Sequence, residues 1–324
     1  MADGLLKNSR IYIAGHKGLI GTALQERLEM RGYHNLIYRP HTKLDLTNQS
    51  DVEALFEQEQ PEFVILNAAV PANSVNVRTR PVQLMLDNTL IITNVIGAAR
   101  KFNVQKLIYV CSHAAYPSDA VRTEEGLLSE EAMQPGEISV ISERCYAIPK
   151  ILGEELCRFI NEKDQMRCVT AVLANVYGNC YHYETPDNLP VFPALIKRFC
   201  DAVKRDVPEV VIWGSGKLRR DLLAAEDVAD AYIALLESET AEGVYNISSG
   251  TYITIREMAE TISRVSGYRG KLRFDTTKPE GIEFPLLKLD RIKALGWEPK
   301  ISFEDGVKKA YEYYQRNFGQ RPSI

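Results

Sequence analysis

The residues best suited to chemistry are Tyr146 and Lys150, in the stretch Tyr146-Ala-Ile-Pro-Lys150. At this spacing a helix puts the phenol and the ammonium on one face, about one turn apart. The apolar residues that follow, Ile151, Leu152, Leu156 and Phe159, predict that the pair opens a helix. An ammonium beside a phenol favours the phenolate, so the pair can exchange a proton near neutral pH rather than near ~10. Alone, such a pair is usually just a helix surface. Its weight comes from Ser112, which ends the apolar stretch Lys106-Leu-Ile-Tyr-Val-Cys111. A hydroxyl there can hold a carbonyl oxygen while Tyr146 supplies the proton. Lys150 perturbs the Tyr.

A second set of residues fits the cofactor. Residues 10–14 read as a buried strand, and Gly15-His-Lys17-Gly18-Leu19-Ile20-Gly21 follows at once, then an amphipathic helix through Leu24 and Leu28. Strand, glycine turn and helix let a backbone approach a pyrophosphate at a helix N-terminus, where free N–H groups and the dipole favour an anion. The next strand, Asn35–Tyr38, ends in Arg39. An NAD enzyme usually carries Asp or Glu there for the ribose 2′-hydroxyl; an Arg suits a 2′-phosphate, and Lys17 adds charge on the same side. The expected cofactor is therefore NADP(H). Asp45 is expected beside the adenine and Leu46 in the cofactor site, in a stretch from Leu44 that opens another helix, with Thr47 or Asn48 as its cap. Asn67, Ala68 and Ala69 follow the strand Phe63–Leu66, and their small size lets a cofactor lie close.

The elements that must position these groups alternate strand and helix. That order predicts an α/β fold, a doubly wound parallel Rossmann sheet with ligands at the C-terminal strand ends. Beyond Cys168–Leu173 the pattern changes: residues 179–190 are irregular, with Cys180 and His182 among them. The expected division is a cofactor-binding domain over 1–177 plus about 221–250, and a smaller, discontinuous substrate domain over about 178–220 plus 251–324. The 324 residues are 45% hydrophobic and 25% charged with net charge -4, which gives no hint of a nucleic-acid or membrane-surface partner. The six cysteines lack C-x-x-C spacing, which argues against a zinc site or disulfide framework and fits a reducing compartment. No signal peptide or spanning run is evident, so a cytoplasmic location is expected.

Ser112 followed by Tyr146-x-x-x-Lys150, with a G-x-x-G-x-x-G turn, resembles the extended short-chain dehydrogenases. More specifically, the chain resembles the GDP-L-fucose synthase family, nearly end to end. The matching stretches are Ile13-Ala-Gly-His-Lys-Gly18, Tyr146-Ala-Ile-Pro-Lys150, Asn175-Val-Tyr-Gly178, Val191-Phe-Pro-Ala-Leu195, Val211-Ile-Trp-Gly-Ser-Gly216 and Thr254-Ile-Arg-Glu257. The resemblance implies a GDP-bound 4-keto-6-deoxy sugar, hydride delivery to C4, and a homodimer. It implies that Ser112, Tyr146 and Lys150 form the catalytic triad, and that Asn175, Arg198, Trp213 and Arg220 contact the nucleotide sugar. An Arg suits a diphosphate, and a Trp can stack on a flat or sugar face. The plainer alternatives are surface ion pairs for the arginines and a core position for Trp213.

The departures are informative. Family members that also epimerise use a Cys two positions after the catalytic Ser and a His just before the V-x-P-A-L segment; here these are Ala114 and Pro190. A family Lys of the late K-P-x-G region is also missing, with Pro285 near its place. His113, beside Ser112 and assigned to the substrate site, could stand in as acid or base, as could Cys180 or His182. The expected activity is an NADPH-dependent 4-ketoreductase of a GDP-4-keto-6-deoxy hexose or heptose, for surface glycans. The rivals are a bifunctional epimerase–reductase with substitute proton carriers, an NAD-dependent sugar 4-epimerase or dehydratase, and a non-catalytic NADP-sensing protein.

Overall fold

Continuous apolar runs, buried on both faces, dictate a central parallel sheet here. The computed structural model describes residues 5–72, 75–134, 136–137, 144–179, 183, 189–278 and 280–319. Its strands are β1 Ile11–Ala14, β2 Leu36–Ile37, β3 Phe63–Leu66, β4 Lys106–Ser112, β5 Arg167–Leu173, β6 Asn175–Tyr177, β7 Glu209–Trp213, β8 Arg219–Arg220, β9 Leu222–Ala224, β10 Gly243–Ile247, β11 Ile253–Thr254 and β12 Lys271–Asp275. The helices are α1 Leu19–Met30, α2 Gln49–Glu59, α3 Asn76–Thr79, α4 Pro81–Lys101, α5 Arg144–Lys163, α6 Val191–Lys204, α7 Ala225–Glu237, α8 Ile255–Ser266, α9 Asp290–Ala294 and α10 Phe303–Phe318. Six strands form one sheet in the order β2-β1-β3-β4-β5-β10, every neighbouring pair parallel. The fold is the expected doubly wound α/β architecture.

Helices cover both faces of the sheet. α4 packs between α2 and α5, while α1 packs on α7. The alternation of β4 shows the two sides: Tyr109 reaches the backbone of α5, whereas the buried Lys106 ammonium donates to the carbonyls of Leu235, Leu236 and Ser238 at the end of α7. A cation on those last carbonyls caps the helix and complements its dipole. α4 is long and apolar enough to cross a bilayer by composition alone. Here it is a packing helix: Leu84, Ile91, Ile92, Val95 and Ile96 are buried in the body of the fold.

Local signals set the helix starts. Asn48 caps α2, accepting from Ser50 N at 3.0 Å. Thr47 does not cap; its N–H and hydroxyl both donate to Asp45, and Leu44–Thr47 precede the helix rather than open it. Thr254 and Glu257 form a capping box on α8. A smaller hydrophobic cluster gathers α6, α8, α10 and β7 around Phe192, Phe199, Met258 and Tyr311. The larger cluster contains the sheet and also Leu287, Leu289, Ile292 and Trp297. Trp297 donates its indole N–H to Asp227 O at 3.0 Å, and the Asp227 carboxylate accepts from Lys300 and Ile301 N–H. These bonds tie the late chain to α7.

Candidate active site

The glycine turn after β1 is shaped by contact as much as by conformation. Gly15 has φ +86°, and a Cβ there would stand 2.9 Å from the Ala68 backbone. A Cβ on Gly21 would stand 2.2 Å from Gly15 O. The turn can therefore press against the loop after β3 and against its own helix only with glycine in both places. Between these loops lies a cleft of about 600 Å³, lined by Gly15, Lys17, Gly18, Arg39, Asp45, Leu46, Asn67, Ala68 and Ala69. Leu19, Ile20 and Gly21 form the first turn of α1 behind it. The lining also includes Tyr12, His16, His41 and Asp87, which sequence reasoning did not single out. His16 stacks on Tyr38, ring centroids 4.7 Å apart, beside Arg39.

Arg39 lines the cleft, with a partner that local pattern gave no sign of. Its guanidinium pairs with Glu59, from the last turn of α2, and donates to Tyr38 O. Asp45 is held by Thr47, whose N–H and hydroxyl keep its carboxyl below the usual range.

Ser112 ends β4 and its Oγ accepts from Ala114 N at 3.2 Å, so the hydroxyl caps the short turn His113–Ala115. Tyr146 sits in the first described turn of α5, half-buried, and Lys150 follows one turn on, 3% exposed. The Lys150 ammonium lies 5.8 Å from the Tyr146 ring centroid and donates to Val110 O at 2.7 Å. Burial pulls its pKa down to about 8. Pro149 inside α5 removes one helical N–H just before it.

The substrate residues fall into two groups. Asn175, on β6, donates from Nδ2 to Asp221 O at 3.2 Å, which sets it beside Arg220. Arg220 donates to Ile282 O at 2.7 Å, and its charge also reaches His113. Arg198 lines a separate cavity of about 420 Å³ between α6 and β7, donating to Val211 O. Trp213 ends β7 and is 56% exposed with Lys278 over its ring, so it is not a core aromatic.

His113 is buried and packs against Phe284, the two rings tilted with centroids 4.2 Å apart. Burial, then the Arg220 charge, push its pKa to about 4, so it is neutral at neutral pH. Phe284 belongs to a segment that sequence reasoning missed. Residues 280–288 cross this region, pinned by Glu280 on Ser215 N, Glu283 on Arg219, Tyr252 Oη on Phe284 O and Lys288 N on Leu128 O. The segment has no helix or strand, so only its K-P-x-G start was legible. Cys180 and His182 lie outside the described residues.

The arrangement offers a glycine turn at a helix N-terminus, a hydroxyl at a strand end, and a phenol–ammonium pair on the next helix. The family model for the NAD dependent epimerase/dehydratase family matches residues 11–248. The chain belongs to the NAD dependent epimerase/dehydratase family. It is an oxidoreductase of that family and uses NADP(H). It is 38% identical over 317 residues to a putative GDP-L-fucose synthase of Arabidopsis thaliana, covering 98% of this chain and 95% of that protein. Two solved structures from Campylobacter jejuni are similar over nearly their whole length. One is a GDP-6-OMe-4-keto-L-xylo-heptose reductase, with TM-score 0.85, 30% identity, and 97% and 99% of the two chains covered. The other is a GDP-mannoheptose C4 reductase with NADP bound, with TM-score 0.83, 32% identity, and 96% and 100% covered. Within the NAD dependent epimerase/dehydratase family, the chain thus stands with GDP-L-fucose synthases in sequence and is similar in structure to GDP-heptose reductases.

Proposed function

We propose that the protein is an NADPH-dependent C4 ketoreductase of a GDP-4-keto-6-deoxy sugar, hexose or heptose, and that it does not epimerise C3 or C5. The observation that carries the reading is the contrast between two sets of residues. Tyr146 and Lys150 sit one turn apart on α5 beside the strand end at Ser112. The positions where epimerising relatives keep a thiol and an imidazole hold Ala114, which is buried, and Pro190, which precedes α6. Neither can move a proton. His113, the substitute beside Ser112 in sequence, is neutral and packed against Phe284.

Bound NADPH supplies the hydride. The Gly15–Gly21 turn holds the pyrophosphate, with Arg39 and Lys17 toward the 2′-phosphate and Asp45, Leu46, Asn67, Ala68 and Ala69 around the remainder. Ser112 Oγ holds the C4 carbonyl oxygen and Tyr146 gives it a proton as the alkoxide develops, while Lys150 keeps the phenol acidic. Asn175, Arg220, Arg198 and Trp213 hold the GDP-sugar, with the arginines on the diphosphate. The reading includes a cofactor domain and a discontinuous substrate domain with the bounds given above, a cytoplasmic location, and a role in surface-glycan precursors. It also includes a homodimer. Val82, Leu86 and Leu90 on α4, and Ile148, Leu152 and Phe159 on the adjoining α5, are exposed apolar residues mostly four apart. Such a stripe on two packed helices suits a twofold partner with the same stripe.

The test is incubation of the enzyme with the 4-keto sugar in D₂O and NADP⁺, followed by mass spectrometry, and then addition of NADPH. The expected result is no enzyme-dependent deuterium at C3 or C5, followed by reduction at C4. Deuterium uptake above the enzyme-free control would defeat the reductase-only reading.

A further inference from the structure

We propose that Tyr109 is a positioning residue for the Tyr146–Lys150 pair: its hydroxyl fixes the α5 backbone at Lys150, and its ring face holds the Lys150 ammonium in its charged form. The proposal rests on the reading above that Lys150 acts charged beside Tyr146. Tyr109 is fully buried on the α5 side of β4, three residues before Ser112. Its hydroxyl donates to Lys150 O at 3.1 Å. The approach exists because residue 153 is glycine: a Cβ there would stand 2.4 Å from Tyr109 Cζ and 2.5 Å from its oxygen. The helix carries a notch, and the phenol fills it.

The same placement puts the ring beneath the ammonium. Lys150 Nζ lies 5.4 Å from the Tyr109 ring centroid and 5.8 Å from that of Tyr146. Both separations are within the range at which a cation is drawn to an aromatic face. Burial in this site works against the ammonium, and a ring face and a carbonyl oxygen work for it. The carbonyl is Val110 O, the next residue along β4. One strand therefore provides a ring at Tyr109, an acceptor at Val110 and a hydroxyl at Ser112. Cys111 of β4 also faces the pair, and burial pushes its thiol up to about 11. From α5, Tyr146, Glu154 and Cys157 surround the Tyr109 phenol, which burial drives well above its ordinary value. From α7, Tyr232 senses Tyr146. Tyr109 thus stays a neutral donor, and Lys150 is the group whose charge depends on it.

The experiment uses the full chain with isotope-labelled lysine and follows the Lys150 Cε resonance against pH by NMR, assigned with Lys150→Met. The titration itself needs no substrate. Tyr109→Phe keeps the ring and removes the hydroxyl; Tyr109→Leu and Tyr109→Met remove the ring, and whichever of these two folds by circular dichroism decides the charge claim. The non-aromatic variant is expected to lower the Lys150 midpoint by about one pH unit, a tenfold loss of ammonium above it. Tyr109→Phe should leave the midpoint near that of the wild type while lowering Tm and kcat with the NADPH KM unchanged. A non-aromatic variant with the wild-type Lys150 midpoint would overturn the proposal. Failure of the ketoreductase reading shows elsewhere, as undiminished turnover in Lys150→Met, and does not depend on this titration.

Discussion

At the scale of single residues, the proton route depends on two neighbours with different needs. Tyr146→Phe keeps the ring and removes the donor. Turnover should fall by at least ~10²-fold with NADPH binding little changed. Near-normal turnover would place the acid elsewhere. Lys150 bears a pH dependence of definite sign. Its pKa is held down to about 8, so the ammonium is present below that pH and lost above it. Turnover is expected to decline as pH rises through this value, and Lys150→Met, already slow, should lack that limb. In the cleft beside the glycine turn, Arg39 is shared with Glu59. Arg39→Ala should cost ~10-fold or more in kcat/KM with NADPH and little with NADH, because only NADPH loses a charge-assisted contact. Glu59→Gln removes a competing carboxylate and should lower the NADPH KM roughly 2- to 5-fold. Steady-state kinetics with both cofactors check the pair of variants; an unchanged cofactor preference in Arg39→Ala would remove Arg39 from the 2′-phosphate site.

At the scale of elements, α5 does two jobs, presenting the catalytic pair and packing on β4. Gly153 makes these compatible. An alanine would improve helix propensity, but its Cβ meets a fully buried phenol, so overpacking should prevail. Gly153→Ala is expected to cost about 1–3 kcal/mol, visible as a lower Tm. A gain in Tm would show that β4 and α5 can move apart freely. One residue further, Glu154 is buried, and burial, then Glu155, push its pKa up to about 7. A carboxyl whose folded pKa is raised contributes stability at acid pH that is lost as pH rises through the folded value. Glu154→Gln should therefore raise stability by on the order of 1 kcal/mol at about pH 8 and add little at about pH 5. Thermal scans at both values test the sign, and an equal shift at both would contradict it.

At the scale of the whole molecule, the α4–α5 stripe leads to an assembly prediction. Leu86→Glu combined with Leu152→Glu should shift a dimer to monomer in analytical ultracentrifugation, with the monomer still folded by circular dichroism. A species of unchanged mass would mean that the copies meet through another face, or not at all. The region around His113 also belongs to this scale. Residues from β4, β8 and the 280–288 segment meet there, and none is near another in sequence.

What the sequence determined by itself is what local pattern carries. Continuous apolar runs required a buried parallel sheet, and glycine spacing after the first strand marked the turn at Gly15. The order Ser112, Tyr146, Lys150 needed only a strand end and the start of a helix. Thr254 and Glu257, three apart, cap α8 through contacts that are local in sequence. The tertiary structure decided the rest, because side chains far apart in the chain meet only once the layers pack. No periodicity ties Arg39 to Glu59, or His113 to Phe284. Leu287, Leu289, Ile292 and Trp297 lie far from the sheet strands in sequence, yet they pack into the sheet's own core. Tyr109 reads as one more apolar strand residue. Its hydroxyl finds Lys150 O because β4 and α5 approach at a glycine, and a contact between separate elements leaves no mark in the period of either.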